Sequence, residues 1–340
     1  MQDVRYAFRM RRSPGFTAVA ILSLALGIGA NTAIFSLINT LMLRPLPVRN
    51  PGELVQFLSQ YPDPAEPPSN SYAWKYYERF RDETQAFSDL IGVSPARFRL
   101  RADGIDADAV DGEYVVGNYF TMLGVTPAVG RLIAAQDDGL GSGSAAVAVL
   151  SWASWTNRFH ADPSVVGKPI VVDGAPATVI SVAPRPFFGV QVGAAPAIWL
   201  PVAMEPLIHA PALSRVEGSR RASGELTMSV LARLKPGVSR EQARAERQVI
   251  NRDRNEAIAK RGDLKWRQVT IDAVPAAAGM SSFTFVYEKP LFALLAIVGL
   301  LLLLAGTSVA TLLLARGAAR QREMAVRVSL GASRASCACC

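Results

Sequence analysis

The stretch PLFALLAIVGLLLLLAGTSVATLLLA occupies residues 290–315 and contains no charged side chain. A second uncharged stretch, SPGFTAVAILSLALGIGANTAIFSLINTLML, occupies residues 13–43. About 20 apolar residues suffice to cross the hydrocarbon core of a bilayer, so each stretch is long enough to span one. The sequence therefore predicts two transmembrane helices, 13–43 and 290–315, on either side of a large region at 44–289.

The first apolar stretch has an alternative interpretation as a cleaved signal peptide. Arginines precede it, and residues 27–30 (GIGA) loosely resemble a small-residue cleavage site. The apolar stretch continues for thirteen residues past Ala30, however, whereas the apolar part of a signal peptide has about 7–15 residues in all. We favour an uncleaved span. A cleaved leader would instead make the chain a secreted binding protein whose mature end lies near Asn31.

The positive charge is concentrated at the two ends of the chain. The formal net charge is +8, of which residues 1–43 carry +3 and residues 290–340 carry +4, while 27 bases and 26 acids nearly cancel in 44–289. A nucleic-acid-binding protein would need a basic face on its folded part, so this distribution argues against a nucleic-acid partner. Lys and Arg beside membrane spans stay on the cytoplasmic side. Both termini are therefore predicted to be cytoplasmic, with 44–289 outside the inner membrane.

Small residues recur at four-residue spacing in both predicted spans. Such spacing lets two helix backbones approach each other closely in a bilayer. The predicted helix-packing residues are Ala25, Gly29 and Ala33 in the first span and Gly306 and Ala310 in the second.

The region 44–289 has the pattern of an α+β domain. A helix is predicted at 71–87 with Tyr72, Tyr76 and Phe80 on its apolar face, because these residues lie four apart. Residues 168–184 predict a β-hairpin that turns at Asp173-Gly174. Ser239 and Gln242 form a capping-box pattern at the start of a helix that ends near Gly262. The polar segment DDGLGSGS (137–144) and residues 210–224 are predicted loops or linkers.

No motif in this region indicates an enzyme, a cofactor site or a metal site. Phosphate-binding, dinucleotide-binding, zinc-protease and serine-hydrolase patterns are all absent from the sequence. Acidic residues between Asp103 and Glu113 lack the spacing of a calcium-binding loop, so a solvated acidic turn is predicted there. The cysteines at 337, 339 and 340 have no His nearby to complete a metal site.

Several stretches resemble one family of membrane proteins. DVRYAFRMRRSPGFTAVAILSLALGIGANTAIFSLINTLMLRPLP (3–47) is similar to its opening amphipathic helix and first span. GNYFTMLGVTPAVGRLI (117–133), VAVLSWASWTNRFHADPSVVGKPIVVDG (147–174) and ARLKPGVSREQARAE (232–246) are similar to its periplasmic core domain, and ARQREMAVRVSLGASR (319–334) to the segment after its second span. In this order the chain resembles the MacB/FtsX-type permeases of ABC transporters, in particular the acidobacterial-type orphan permeases, over roughly residues 1–334.

The resemblance implies a domain organisation. Residues 1–12 would be a cytoplasmic amphipathic helix, and 316–340 a cytoplasmic FtsX-like coupling segment. The periplasmic core at 44–289 would comprise a porter-like part (44–136 and 224–289) and an inserted subdomain (137–223). The fold class is then an α+β extracytoplasmic domain between two transmembrane α-helices.

The resemblance also implies a function and partners. The chain would be a permease subunit that relays the motion of a cytoplasmic ABC ATPase to the periplasmic domain, paired with a second permease copy in the lipid bilayer, and would not itself be an enzyme. The residues expected to contact the ATPase are Arg322, Glu323, Met324, Arg327, Val328, Leu330 and Gly331. A basic helix that lies on the membrane and only sets topology is the alternative reading of this segment.

Two further expectations concern the whole protein. A non-transporting, FtsX-like role in recruiting or regulating a periplasmic partner is the alternative function. Family members carry more spans after the coupling segment, whereas ASCACC (335–340) does not resemble that continuation. The expectation is therefore a C-terminally truncated or frame-shifted permease.

Overall fold

The computed structural model describes residues 14–39, 44–102, 105–138, 146–208, 226–260, 268–280 and 282–329. These residues form two compact units. The first unit comprises described residues up to position 40 and from position 287 onward. The second unit comprises those within 41–286.

Seven α-helices lie in the described part of the chain: α1 (Pro14–Ile38), α2 (Trp74–Glu83), α3 (Tyr119–Leu123), α4 (Trp152–Arg158), α5 (Glu205–Ile208), α6 (Arg240–Ala259) and α7 (Ser282–Ser329). The strands are β1 (Leu54–Gln60), β2 (Ser71–Ala73), β3 (Phe87–Ala102), β4 (Ile105–Val115), β5 (Val129–Gly130), β6 (Val147–Leu150), β7 (Pro169–Val172), β8 (Ala175–Val182), β9 (Ile198–Pro201), β10 (Thr227–Leu234) and β11 (Thr270–Pro275).

The first unit contains α1 and the part of α7 from Tyr287 onward. Within α7, residues Pro290–Thr311 have a mean hydropathy of 2.5 and are long and apolar enough to cross a membrane. Among the described residues of α1, the apolar segment is the shorter Ala25–Ser36. The second predicted span is thus matched by a helix of suitable length and composition, whereas the first stays a prediction.

The second unit is built on a mixed sheet, and its fold is mixed α/β. The strand order is β11-β1-β10-β3-β4-β9-β6-β8-β5, with β2 beside β10 and β7 beside both β3 and β8. Most neighbours are antiparallel, but the pairs β4–β9 and β6–β8 are parallel. The 16-residue strand β3 pairs with β10 near its start and with β7 near its end. One described sheet therefore crosses the predicted boundary between the porter-like part and the inserted subdomain.

Two local predictions are confirmed in this unit. The hairpin β7–β8 turns at Asp173 and Gly174, whose φ angles of 47° and 88° are both left-handed, as a tight two-residue hairpin turn requires. The start of α6 is closed by the predicted capping box. The Gln242 N–H donates to Ser239 Oγ at 3.2 Å, and the Ser239 N–H donates to Gln242 Oε1 at 2.8 Å.

The predicted helix at 71–87 is wrong at both ends, since it ends at Glu83 and Phe87 begins β3. Residues Ser71–Ala73 form β2, because they pair with β10, and the helix begins only at Trp74. Tyr72 is buried in that strand, and the buried residues of the helix are Tyr77 and Phe80.

The predicted linker at 137–144 is also wrong at its start. Asp137 is buried and accepts two hydrogen bonds from the Arg131 guanidinium, at 2.7 and 2.9 Å. Asp138 accepts the Gly117 N–H at 3.0 Å. Residues 139–144, the whole predicted loop at 210–224 and the predicted helix end at Gly262 lie outside the described residues.

The core of the second unit contains an unusual cation. Arg247 of α6 is buried, and its guanidinium carbon lies 3.6 Å from the Phe57 ring centre and 4.1 Å from that of Phe80. Among the described residues, none of its three guanidinium nitrogens has a hydrogen-bond partner. Burial lowers the pKa of Arg247 to about 9. The aromatic faces thus partly replace the water that this cation loses.

Candidate functional site

The segment expected to contact an ATPase belongs to the last turns of α7. This helix is continuous over 48 residues from Ser282 to Ser329, with Pro290 inside it. Residues 322, 323, 324, 327 and 328 are all in helical backbone, and the Arg322 side chain is exposed. Leu330 and Gly331 lie outside the described residues. At about 1.5 Å per residue α7 is ~72 Å long. The apolar span and the predicted coupling segment therefore belong to one continuous helix.

The small residues of the two apolar helices do not meet in this structure. Ala25, Ala33 and Ala310 are exposed, and the Cα atoms of Gly29 and Gly306 face open space, with no atom within 4 Å of where a Cβ would stand. The close approach lies elsewhere. A Cβ on Gly27 would stand 2.8 Å from Leu302 Cδ1. The predicted packing faces are therefore left open within one chain.

The segments that continue into α1 and α7 are fastened together at the edge of the second unit. The Leu46 N–H donates to the Ala277 carbonyl oxygen at 2.8 Å, and the Ala276 N–H donates to that of Leu54 at 2.9 Å. Strand β1, which follows the first of these segments, pairs along its length with β11, which precedes the second. The two segments are thus held to each other and to the sheet by backbone hydrogen bonds.

Arg233 of β10 anchors the first of these segments to the core. Its guanidinium donates to the carbonyl oxygens of Arg49 at 2.6 Å, Asn50 at 3.0 Å and Met122 at 3.1 Å. It also donates to Glu53 Oε2 at 2.9 Å, although this carboxylate is partly exposed. The planar, forked guanidinium suits such a cluster because it presents several donors in fixed directions. We call Arg233 with residues 46–54 and 275–280 the junction.

The predicted acidic turn contains one residue that is not solvated. Asp108 pairs with Arg158 and Asp111 with Arg97 at the surface, as expected of a solvated acidic segment. Glu113, in contrast, is 1% exposed, so the prediction of a solvated turn is wrong there. No group of His, Cys, Asp and Glu among the described residues could hold a metal ion. His160 is exposed, and His209 lies outside the described residues.

Sequence comparison identifies the family of this chain. The model of the MacB-like periplasmic core domain matches residues 17–248 of the 340, well over half of the chain. The chain belongs to the MacB-like periplasmic core domain family. It is accordingly a MacB-like permease, of a family whose members serve as permease components of ABC transporters in the inner membrane, with ATP hydrolysis in a partner. No relative among the curated proteins matches this permease.

Several solved structures are similar to this MacB-like permease. One is the extracellular domain of the noncanonic ABC-type transporter YknZ from Gram-positive bacteria, with 13% identity, a TM-score of 0.45, and coverage of 65% of this chain and 99% of that one. Another is a domain of a permease protein from Porphyromonas gingivalis, with 13% identity, a TM-score of 0.45, and coverage of 69% and 95%. A third is the periplasmic region of MacB from Actinobacillus actinomycetemcomitans, with 12% identity, a TM-score of 0.44, and coverage of 76% and 98%.

Sequence reasoning missed Arg233 and Glu113. Each is a charged residue in a strand, and the residues next to it along the strand are buried. A charged residue within an apolar strand pattern is the sequence signal that could have identified them. A charged side chain within an otherwise buried strand is costly unless another group forms a hydrogen bond or an ion pair with it. Such a residue therefore marks a specific contact within the fold. The partner's identity, however, is visible only in the folded chain.

Proposed function

We propose that this chain is the permease subunit of an ABC-type mechanotransmission system. It relays the movement of a cytoplasmic ATPase through α1 and α7 to the domain at 44–289 on the outer side of the inner membrane. The observation that carries this proposal is the junction. A relay requires that the segments leading into both helices be fixed to the domain they move, and the backbone bonds of Leu46 and Ala276 together with Arg233 supply that attachment.

The topology follows from the charge distribution. Five arginines follow the apolar part of α7, and four precede that of α1, so both termini are cytoplasmic in this proposal. The coupling residues around Arg322 and Met324 then lie where an ATPase can reach them. The exposed small residues of α1 and α7, such as Gly29 and Ala310, supply the surface for a second permease copy.

The contact with the ATPase is tested by co-purification. The chain is purified in detergent with the ABC ATPase encoded in its gene neighbourhood, and Glu323, Met324 and Arg327 are changed together to Gln, Ala and Gln. We expect the triple variant to lose the ATPase. The matched control is a variant with three exposed residues of α6 changed, Arg252, Asp253 and Glu256. We expect this control variant to retain the ATPase. Retention of the ATPase by the triple variant contradicts a direct contact.

The relay itself is tested by distance measurements. A spin label at the exposed position Glu66 is placed in a background in which Cys337, Cys339 and Cys340 are replaced by Ser. We expect ATP to change the distance between labels in the two copies of the assembled permease. We expect the Arg233→Gln variant to bind the ATPase normally but to lose most of the ATP-dependent change in the distance between the labels. An ATP response that persists in this variant would argue against the junction as the point of transmission.

A further inference from the structure

A pocket of about 380 Å³ lies over β3 and β4 and is bounded by the loop at 193–196. Its volume is at the lower end of the range of sites that hold small organic ligands. The loop is held at both ends by backbone hydrogen bonds. The Val192 N–H donates to the Met280 carbonyl oxygen at 3.0 Å, and the Ala197 N–H donates to that of Asp111 at 2.7 Å. The wall of the pocket is therefore fixed without a ligand.

Two side chains of opposite charge stand at the mouth of this pocket. The strand register pairs Arg97 with Asp111, and Glu113 lies two positions further along β4, so all three side chains project from the same face of the sheet. The loop lies over that face, because a Cβ on Gly189 would stand 3.4 Å from Pro196 Cγ and 3.5 Å from Glu113 Oε2. Arg97 and Asp111 thus border the pocket with their side chains.

Both charged groups are accessible and have unused hydrogen-bonding capacity. The Arg97 side chain is 73% exposed and the Asp111 side chain 78% exposed, and Arg97 Nε lies 3.9 Å from Asp111 Oδ1. This distance is too long for a hydrogen bond. Neither side chain forms a hydrogen bond with any residue that the structure describes. Exposed pairs of this kind contribute little to stability, so a ligand that separates the two groups disturbs the fold little.

The rest of the lining is small and largely apolar. It consists of Pro, Ala and Gly residues together with Glu113, whose carboxylate is buried and accepts the Trp199 indole N–H at 2.8 Å. The pocket therefore combines a short apolar wall with a cation and an anion side by side at its mouth. Its complement is a small molecule that carries a negative and a positive group next to each other on a short apolar body.

We propose that this pocket binds an α-amino acid with an apolar side chain in its zwitterionic form. The ligand carboxylate accepts hydrogen bonds from the Arg97 guanidinium, whose forked donors match the geometry of a carboxylate. The ligand ammonium group donates to the Asp111 carboxylate, and the ligand side chain lies against the loop at 193–196. A ligand with only one charge would satisfy only one of the two groups. This inference rests on the pocket alone and does not depend on the proposed relay.

The test measures binding of L-leucine to the full chain in phosphatidylcholine nanodiscs by saturation-transfer difference NMR, with empty nanodiscs as the blank. Two probes keep the apolar body of leucine and lack one of its charges: 3-methylbutylammonium lacks the carboxylate, and 4-methylpentanoate lacks the ammonium group. We expect saturable binding of leucine and at least about tenfold weaker binding of each probe, because each loses a charge-assisted hydrogen bond. Binding of either probe as tight as that of leucine would overturn the proposal.

Charge variants show whether the two predicted groups hold the ligand. We expect Arg97→Gln and Asp111→Asn each to weaken binding of leucine about tenfold. The matched control is Arg99→Gln, because Arg99 is exposed on the same face two positions along β3 and does not line the pocket. This control should bind leucine within about twofold of the wild type. Equal losses in Arg97→Gln and Arg99→Gln would reduce the effect to a diffuse attraction and would contradict a defined site.

A further pair of variants tests the apolar wall. Ala195 lines the pocket, whereas Ala109 on β4 does not, and both are exposed. We expect Ala195→Leu to fill the pocket and to weaken binding of leucine about tenfold or more, and Ala109→Leu to preserve it. Each of the substituted positions is exposed, so the variants should fold. Undiminished binding by Ala195→Leu, or no saturable binding of leucine by the wild type, would each overturn the proposal.

Discussion

Arg233 donates a 2.6 Å hydrogen bond to the carbonyl oxygen of Arg49, a residue 184 positions earlier in the chain. The bond joins a central strand of the sheet to the segment that follows α1. Because the same guanidinium also reaches Met122 at 3.1 Å, one side chain holds together three separate parts of the domain. It is the most connected described side chain of the junction.

Replacing Arg233 by Lys should destabilise the domain. A lysine ammonium is a compact donor that cannot reach all four acceptors, so the partly buried bond to the Arg49 carbonyl oxygen and the buried bond to that of Met122 are no longer both formed. We expect the free energy of unfolding to fall by about 2–3 kcal/mol, measured by denaturant unfolding in detergent followed by tryptophan fluorescence. The matched control is Arg158→Lys, because the 2.7 Å pair of Arg158 with the exposed Asp108 is screened by solvent and contributes little to stability. Equal losses in the two variants would contradict the anchoring role of Arg233.

Glu113 should make stability fall as the pH rises toward neutrality. Burial raises its pKa from 4.5 to about 7, so the folded protein holds a proton that the unfolded chain releases. The stabilisation is fully present below about pH 4.5 and is lost as the pH rises through about 7. The charged groups on the same face, Arg97 and Asp111, form an exposed pair at the surface, and the pKa of Tyr119 is raised well out of this range by burial and by Glu113.

Glu113→Gln removes this titration while keeping the shape of the side chain. We expect the pH dependence of the unfolding free energy between pH 5 and 8 to become shallower by on the order of 3 kcal/mol in total, because each unit of pKa shift corresponds to about 1.4 kcal/mol. An unchanged slope in Glu113→Gln would mean that Glu113 is already ionised throughout the range.

Arg247 should be replaceable by Met with a gain in stability. The guanidinium lacks hydrogen-bond partners among the described residues, and its contacts with Phe57 and Phe80 repay only part of the cost of removing it from water. Met has a similar length and packs against aromatic rings. We expect Arg247→Met to raise the free energy of unfolding by about 1 kcal/mol and Arg247→Ala to lower it by about 2–4 kcal/mol through the cavity it leaves. A loss with Met would show that the charge itself stabilises the fold.

The contact between α1 and α7 should be sensitive at Gly27 and insensitive at Gly29. A Cβ on Gly27 would stand 2.8 Å from the Leu302 side chain, whereas Gly29 has open space around it. We expect Gly27→Ile to lower the thermal unfolding midpoint of the detergent-solubilised chain by several degrees, because a branched side chain separates the two helices. Gly29→Ile serves as the matched control and should leave the midpoint of the monomer unchanged. If Gly29→Ile alone weakens self-association, the open face would be the contact with a second copy.

Features specified by neighbouring residues could be predicted from the sequence. The hairpin turn at Asp173-Gly174 and the capping box of Ser239 and Gln242 depend on residues within a few positions of each other, so their patterns are sufficient to predict them. The apolar stretch at 290–315 and the motifs that carry the family resemblance are likewise read from consecutive residues. The start of the predicted helix at 71–87 failed because Ser71–Ala73 pair with β10, which lies more than 150 residues later.

By itself, the sequence determined the apolar spans as predictions, the charge at their ends, the local turns and caps, and the family. Only the tertiary structure decided which charged residues are buried and what they contact. Glu113 and Asp111 are alike as residues of one acidic segment, yet Glu113 is buried and accepts a hydrogen bond from Trp199, whereas the Asp111 side chain is exposed to solvent. The sequence around Arg233 does not distinguish it from other arginines in strands. Its acceptors on Met122 and Arg49 lie 111 and 184 positions earlier in the chain. Burial and hydrogen bonding depend on such distant neighbours, because folding brings them together only when the whole sheet has formed.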